Sequence, residues 1–339
     1  MKTSKLDYQL PEKLIAQEPI EPRDASRLLV LNRKKGSIAH KDFRDIGDYL
    51  EPGDLLVVND TKVLPARLSG HKIDTGANVE ILLLAERRDN EWEILAKPAK
   101  RLKVGTIIDF DSELKAEVIA LLENGRRLLR FDSKESLLSI FERIGKMPLP
   151  PYITEPLVKP DRYQTIYAKK QESAAAPTAG LHFTKDLISE LKNKGIGFGR
   201  VSLRIGLDTF QPIREKEVEK HRIHSEHFEL SKETANALNK TREAGNRIIA
   251  VGTTSARVLE SAAINGVFNE ENRPTDLFIY PGYNFRAVDA MITNFHLPKS
   301  TLLAMVSAFA SLELIKKAYE EAIQKRYRFF SFGDAMLII

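Results

Sequence analysis

Two histidines each follow an apolar residue in a loop that opens into a helix-like run. His182 lies in Ala176-Pro177-Thr178-Ala179-Gly180-Leu181-His182-Phe183-Thr184, and His296 in Thr293-Asn294-Phe295-His296-Leu297-Pro298-Lys299-Ser300-Thr301. Separate loops that converge on one pocket would deliver them this way, and two imidazoles could then divide general acid and general base work near neutral pH. Around His182 the small residues Ser173-Ala174-Ala175-Ala176 let a backbone approach a ligand closely, Gly180 can take positive φ, and Pro177 stiffens the approach. Thr184 precedes the helix-like run 185–193, so His182 is expected near a helix N-terminus, where free N–H groups favour an anion and lower an imidazole pKa. An ordinary capped helix entry with a packed histidine fits the same residues equally well.

Other residue types suit a ligand. The apolar run Leu55-Leu56-Val57-Val58 ends on Asn59-Asp60-Thr61, as a buried parallel strand delivering side chains to a site would. The strand expected at 247–251 turns at Gly252-Thr253-Thr254 into a helix carrying Arg257, a plausible anion pocket. Tyr280 and Tyr283, around Pro281-Gly282, offer aromatic faces to a cation or nucleobase, although core aromatics would look the same. His221-Arg222-Ile223-His224-Ser225-Glu226 resembles a metal cluster, but Glu226 falls off the face the histidines would share, so hydrogen bonding or packing is the better reading. Gly195-Ile196-Gly197-Phe198-Gly199 runs into a strand, whereas a dinucleotide fingerprint opens a helix.

The elements that must position these residues fall into two textures. From about Leu68 to Arg130 short β-rich runs alternate with turns, the pattern of a small antiparallel barrel. Lys97, Lys100, Arg101 and Lys103 crowd one of its turns, suited to phosphates or simply solvated. The remainder reads as α/β, with strands expected at 201–205, 247–251, 276–280 and 287–293 and an apolar helix at 301–309 capped by Ser300. The expectation is a mixed-sheet or barrel-like α/β main domain, discontinuous over 1–65 and 150–339, with an inserted antiparallel β-barrel domain at 66–149.

With 339 residues the chain can bury a full core, and zero Cys removes disulfides, thiolate catalysis and cysteine-ligated metal clusters. The net charge of +5 is compatible with a polyanion partner. No segment has signal-peptide or membrane-spanning character, so a cytoplasmic protein is expected, with no membrane partner.

Taken together, the two histidine loops, Asn59-Asp60-Thr61-Lys62-Val63-Leu64-Pro65-Ala66-Arg67, Gly252-Thr253-Thr254-Ser255, Pro281-Gly282-Tyr283 and the tail 327–336 closely resemble the S-adenosylmethionine:tRNA ribosyltransferase-isomerase family of queuosine biosynthesis. The match runs from Leu14 essentially to the end of the chain. One stretch departs: the family usually reads Leu-His-Val-Gly-x-Gly-Thr-Phe where this chain has Leu203-Arg204-Ile205-Gly206-Leu207-Asp208-Thr209-Phe210, so no role passes to Arg204 or Asp208. The resemblance implies an α/β domain interrupted by a β-barrel. It also implies transfer and isomerisation of the ribosyl group of S-adenosylmethionine onto 7-aminomethyl-7-deazaguanine at the tRNA wobble position, giving epoxyqueuosine, adenine and methionine. S-adenosylmethionine is then a consumed substrate, with no metal or redox cofactor, and a monomer suffices. On this basis His182 and His296 become acid and base in either order, and Asp60 a holder of an adenosine hydroxyl or the aminomethyl group. The methionine carboxylate would suit Gly252, Thr253, Thr254 and Arg257, and the sulfonium would face Tyr280 or Tyr283. Thr178, Gly180 and Asn294 complete the substrate set, while Lys100 and Arg101 would track the RNA backbone. An S-adenosylmethionine-dependent RNA methyltransferase and a non-catalytic tRNA-binding protein are the competing readings.

Overall fold

The run Leu55-Leu56-Val57-Val58-Asn59 has no polar face, which suits a strand covered by side chains on both sides. In the computed structural model, which describes residues 1–110, 114–206, 212–223 and 225–339, this strand lies in the middle of a mixed sheet. The chain divides into two units, one of Met1–Lys62, Pro150–Lys170 and Ala176–Ile339, the other of Val63–Leu149 and Gln171–Ala175.

In the first unit nine strands among the described residues run in the order Glu271–Thr275, Glu226–Leu230, Gly197–Leu203, Leu55–Asn59, Ile248–Val251, Ala290–Asn294, Ala335–Ile338, Arg27–Asn32 and Ser37–Asp42. The four from Gly197–Leu203 to Ala290–Asn294 pair in parallel. Alternate residues divide between two cores, as the period-two geometry of a strand requires. Leu55, Val57, Ile248, Ala250 and Met291 join one core with the helices Thr253–Ala262, Thr301–Ala310 and Leu312–Gln324. Leu56, Val58, Ile249, Val251 and Ile292 join the other with Phe43, Phe183 and Leu187. Register sets Asn59 beside Val201, Val251 beside Val58 and Ile292 beside Val251, so Asp60, Gly252 and Thr293 leave or approach the same end of the sheet.

The second unit holds a closed antiparallel barrel of Arg67–Lys72, Asn78–Arg88, Glu91–Lys97, Ile107–Phe110, Leu114–Leu121 and Arg127–Asp132. Inward positions such as Leu68, Ile81, Ile94, Ile108 and Leu129 are fully buried, and the helix Leu137–Ile144 adds Ile140 and Phe141 to the same core. The fold is therefore α/β with a β-barrel inserted, and its larger sheet is mixed.

One expected element moves. The strand anticipated at 276–280 lies instead at Glu271–Thr275, antiparallel to Glu226–Leu230 at the edge of the sheet, where Pro274 needs no inward donor. Leu277 and Ile279 pack into the first core rather than extending a ladder.

The approach to Ala290–Asn294 hangs on one carboxylate. Glu260, 5 % exposed, accepts the backbone N–H groups of Arg286, Ala287 and Val288 at 3.0, 2.9 and 3.1 Å and the Tyr283 hydroxyl at 3.0 Å. Glu260→Ala would strand these donors, each costing about 1–3 kcal/mol when buried unpaired. A urea midpoint corresponding to a loss of at least ~3 kcal/mol is expected; a change below ~0.5 kcal/mol would contradict this role.

Candidate functional site

Asn294 ends its strand at the edge of a cavity, with both amide hydrogens engaged and one bond accepted by its oxygen. Oδ1 accepts from the Thr178 hydroxyl at 2.9 Å, while Nδ2 faces the Phe330 carbonyl at 3.3 Å and His182 Nε2 at 3.2 Å. The other nitrogen of His182, Nδ1, meets Ser26 Oγ at 2.7 Å. His182 also stacks on Phe43 with ring centroids 5.0 Å apart. Phe330 holds φ at +70°, a region that costs an ordinary L-residue about 1–2 kcal/mol.

His296 is held differently. Its N–H donates to the Tyr319 hydroxyl at 2.9 Å and its carbonyl accepts from Tyr8 at 2.5 Å, so its peptide unit is clamped from both sides. The ring places Nε2 2.7 Å from Thr293 Oγ1, and Nδ1 has no hydrogen-bond partner among the described residues. Burial lowers the pKa of both histidines to about 3, aided for His182 by the positive charges of Arg328 and Arg23. Desolvation is the largest cause for both rings. Both rings are neutral near pH 7, which leaves them hydrogen-bonding or basic roles and no resting acid.

The cavity is lined by Thr178 and Ala179, by Gly252, Thr253 and Thr254, by Asn294 and His296, and by Tyr152, Ile205, Phe330 and Ser331. Gly252, at φ +92°, makes the sharp turn from strand into the helix Thr253–Ala262, whose first N–H groups have no intrahelical acceptor. Thr254 Oγ1 is buried there with no hydrogen-bond partner among the described residues. A helix start, a hydroxyl and an amide oxygen around one cavity can bind a polar or anionic group, and a neutral imidazole beside them can accept a proton.

Six residues expected to act in catalysis or substrate binding lie away from that lining. His182 sits behind Asn294. Gly180 does not have positive φ; it is needed for space, since a Cβ would come within 2.0 Å of the Tyr167 hydroxyl. Asp60, 7 % exposed, accepts from Ser202 Oγ at 2.7 Å. Arg257, expected beside a ligand carboxylate, instead pairs with Glu226 at 2.6 Å and donates to the carbonyls of Leu277 and Thr275, because buried guanidinium donors must all be satisfied. Tyr283 bonds Glu260, and Tyr280 packs its ring 5.2 Å from Phe278. The aromatic faces at the cavity come from Tyr152 and Phe330, whose centroids are 4.9 Å apart, with Tyr152 Oη 2.7 Å from Ser331 Oγ. Pro150-Pro151 directly before Tyr152 and the aromatic tail around Phe330 were the available signals for these two.

His221 pairs with Glu215 at 2.9 Å, and no group of three possible metal ligands occurs among the described residues; His224 and Asp208 lie outside them. In the barrel unit Lys100 and Arg101 form an exposed turn, Ala99–Arg101, braced by Arg127 donating to the carbonyls of Ala99 and Leu102 at 3.0 and 3.1 Å. No helix among the described residues is long and apolar enough to cross a membrane.

Residues 3–338 match the model of a family described as queuosine biosynthesis protein. The chain is 53 % identical over 343 residues to the S-adenosylmethionine:tRNA ribosyltransferase-isomerase of Staphylococcus haemolyticus, and 54 % identical over 340 residues to that of Macrococcus caseolyticus, each match covering 100 % of both chains. A crystal structure of S-adenosylmethionine tRNA ribosyltransferase from Thermotoga maritima is 44 % identical with a TM-score of 0.59, covering 99 % of this chain and 100 % of that one.

Because both histidines titrate near 6.5 when unfolded and near 3 when folded, the unfolded state binds more protons between those values. Their contribution to stability is complete above pH 6.5 and is lost as pH falls toward 3, by about 1.4 kcal/mol per pH unit for each ring. Urea unfolding between pH 6.5 and 5 should show this slope, reduced by about one proton in either His182→Gln or His296→Gln. Stability independent of pH over that interval would refute the neutral, buried assignment.

Proposed function

Since this chain belongs to the S-adenosylmethionine:tRNA ribosyltransferase-isomerase family of queuosine biosynthesis proteins, we propose that its acceptor is 7-aminomethyl-7-deazaguanine at the wobble position of a tRNA and its product epoxyqueuosine-tRNA, with adenine and methionine released. The observation that carries this reading is the convergence of the Gly252–Thr254 helix start, Asn294 and His296 on one cavity. The methionine carboxylate fits the free N–H groups of that helix start, with Thr254 Oγ1 as a further donor. Tyr152 and Phe330 offer a stacking face to adenine or to the everted acceptor base.

The sulfonium acidifies the neighbouring C5′ protons, and His296 Nδ1, the ring nitrogen without a hydrogen-bond partner among the described residues, is the base that removes one. Its surroundings disfavour imidazolium, so the proton is held only briefly and is passed on, with the departing adenine a suitable acceptor. S-adenosylmethionine is spent in the reaction rather than retained as a cofactor. Lys100 and Arg101 present charge to the tRNA backbone.

Incubation with S-adenosylmethionine labelled separately in the methyl and ribosyl groups should place ribosyl label in tRNA and leave methyl label in methionine; methyl label in tRNA would establish a methyltransferase instead. His296→Ala should lower kcat by ~10²–10⁴-fold, the usual worth of a positioned base, and wild-type turnover would sink its role. Replacing Lys100 and Arg101 by Ala should weaken tRNA binding and reduce the log–log salt slope by about 0.7–0.9 for each phosphate that is no longer neutralised. An unchanged slope would remove the barrel turn from the RNA interface.

A further inference from the structure

Resting on that reading of the cavity, we infer that His182 is a positioning residue: a neutral imidazole carrying its hydrogen on Nδ1, donating to Ser26 and accepting from Asn294, so that the Asn294 side-chain oxygen is aimed at a hydroxyl or ammonium donor of the bound sulfonium nucleoside. Phe330 fixes the direction of every bond in this series. Its carbonyl can only accept, so the group of Asn294 that faces it at 3.3 Å is the NH₂. The same NH₂ faces His182 Nε2 at 3.2 Å, which must therefore be the bare nitrogen of the ring. The hydrogen of the neutral imidazole is left on Nδ1, and it points to Ser26 Oγ at 2.7 Å.

Neither alternative satisfies the same partners. An imidazolium would set Nε2–H against the Asn294 N–H, beside the charges of Arg23 and Arg328. A flipped amide would set Oδ1 against the Phe330 carbonyl. With the amide fixed, both of its hydrogens are spent, and Oδ1 keeps a second lone pair after accepting from Thr178 at 2.9 Å. Toward the cavity Asn294 is thus an acceptor only, and it discriminates for a ligand that brings a donor. His182 has no nitrogen left for proton transfer.

Nitrogen NMR of the ¹⁵N-histidine-labelled protein, without substrate, tests the tautomer directly. The expected result is a pyrrole-like Nδ1 and a pyridine-like Nε2 for His182, unchanged from pH 5.5 to 8.5; hydrogen on Nε2, or a titration in that range, would overturn the inference. Turnover of tRNA substrate tests the role. His182→Gln can return an acceptor to the Nε2 position and should keep kcat within about tenfold of wild type, whereas His182→Asn, which reaches only Ser26, should lose ~10²-fold, as misplacement near a reacting centre does. Ser26→Ala leaves the Asn294 contact that requires a bare Nε2, so the hydrogen should stay on Nδ1 while the loosened ring lowers kcat/KM for S-adenosylmethionine. Equal collapse of the Gln and Asn variants, by the ~10²–10⁴-fold of a missing proton-transfer group, would show His182 to be catalytic and end the proposal. Failure of the wild-type protein to transfer ribosyl label would instead remove the proposed reaction, and the substrate-free tautomer measurement would still decide the hydrogen-bond assignment.

Discussion

The hydrogen bond from Asn294 to the carbonyl of Phe330 orders the polar groups of the site. A carbonyl accepts and never donates, so this contact removes the usual ambiguity of an asparagine amide. The orientation propagates outward to Thr178 on one side and through His182 to Ser26 on the other. Phe330 meets this requirement at positive φ, and strain of that kind persists only where the surroundings hold it in place. Here the Gly333 N–H also bonds the Phe330 carbonyl at 2.9 Å, and the Phe330 ring packs on Tyr152.

Such an arrangement requires a rigid frame, and the sheet supplies one. Its central parallel strands are buried on both faces, so a shift of register by one residue would exchange the two cores and move every strand end. The cavity groups are consequently placed by core packing: Gly252 follows Val251, and Asn294 ends Ala290–Asn294. The clamp of Tyr8 and Tyr319 on the peptide of His296 extends the same logic, using an N-terminal residue and a late helix to fix a loop. Desolvation then determines the protonation of both rings. The site holds neutral imidazoles because both rings are buried, and burial strengthens the polar contacts they make.

Much of this was legible in the residues. Apolar runs such as Leu55–Asn59 announced strands covered on both faces, alternation between turns announced the barrel, and Ser300 and Thr184 marked helix starts that each use the expected hydroxyl cap. The loop motifs identified the family over nearly the full chain, and Thr178, Gly252, Thr253, Thr254, Asn294 and His296 meet around one cavity. Each was visible because its signal is local: a periodicity, a cap, a turn, a run of motif residues.

Tertiary structure decided the division of roles. His182 and His296 look equivalent in sequence, each an imidazole after an apolar residue in a helix-opening loop, yet one has both nitrogens engaged and the other keeps Nδ1 without a partner among the described residues. Arg257 and Tyr283 looked like ligand contacts until Glu226 and Glu260 claimed them. The deciding partners, Ser26, Phe330, Glu226 and Glu260, reach these groups from other elements of the fold. A sequence specifies which groups can bond, but the partner of a buried donor depends on which segments share its desolvated space, and only the packed chain brings residues 26, 182, 294 and 330 together.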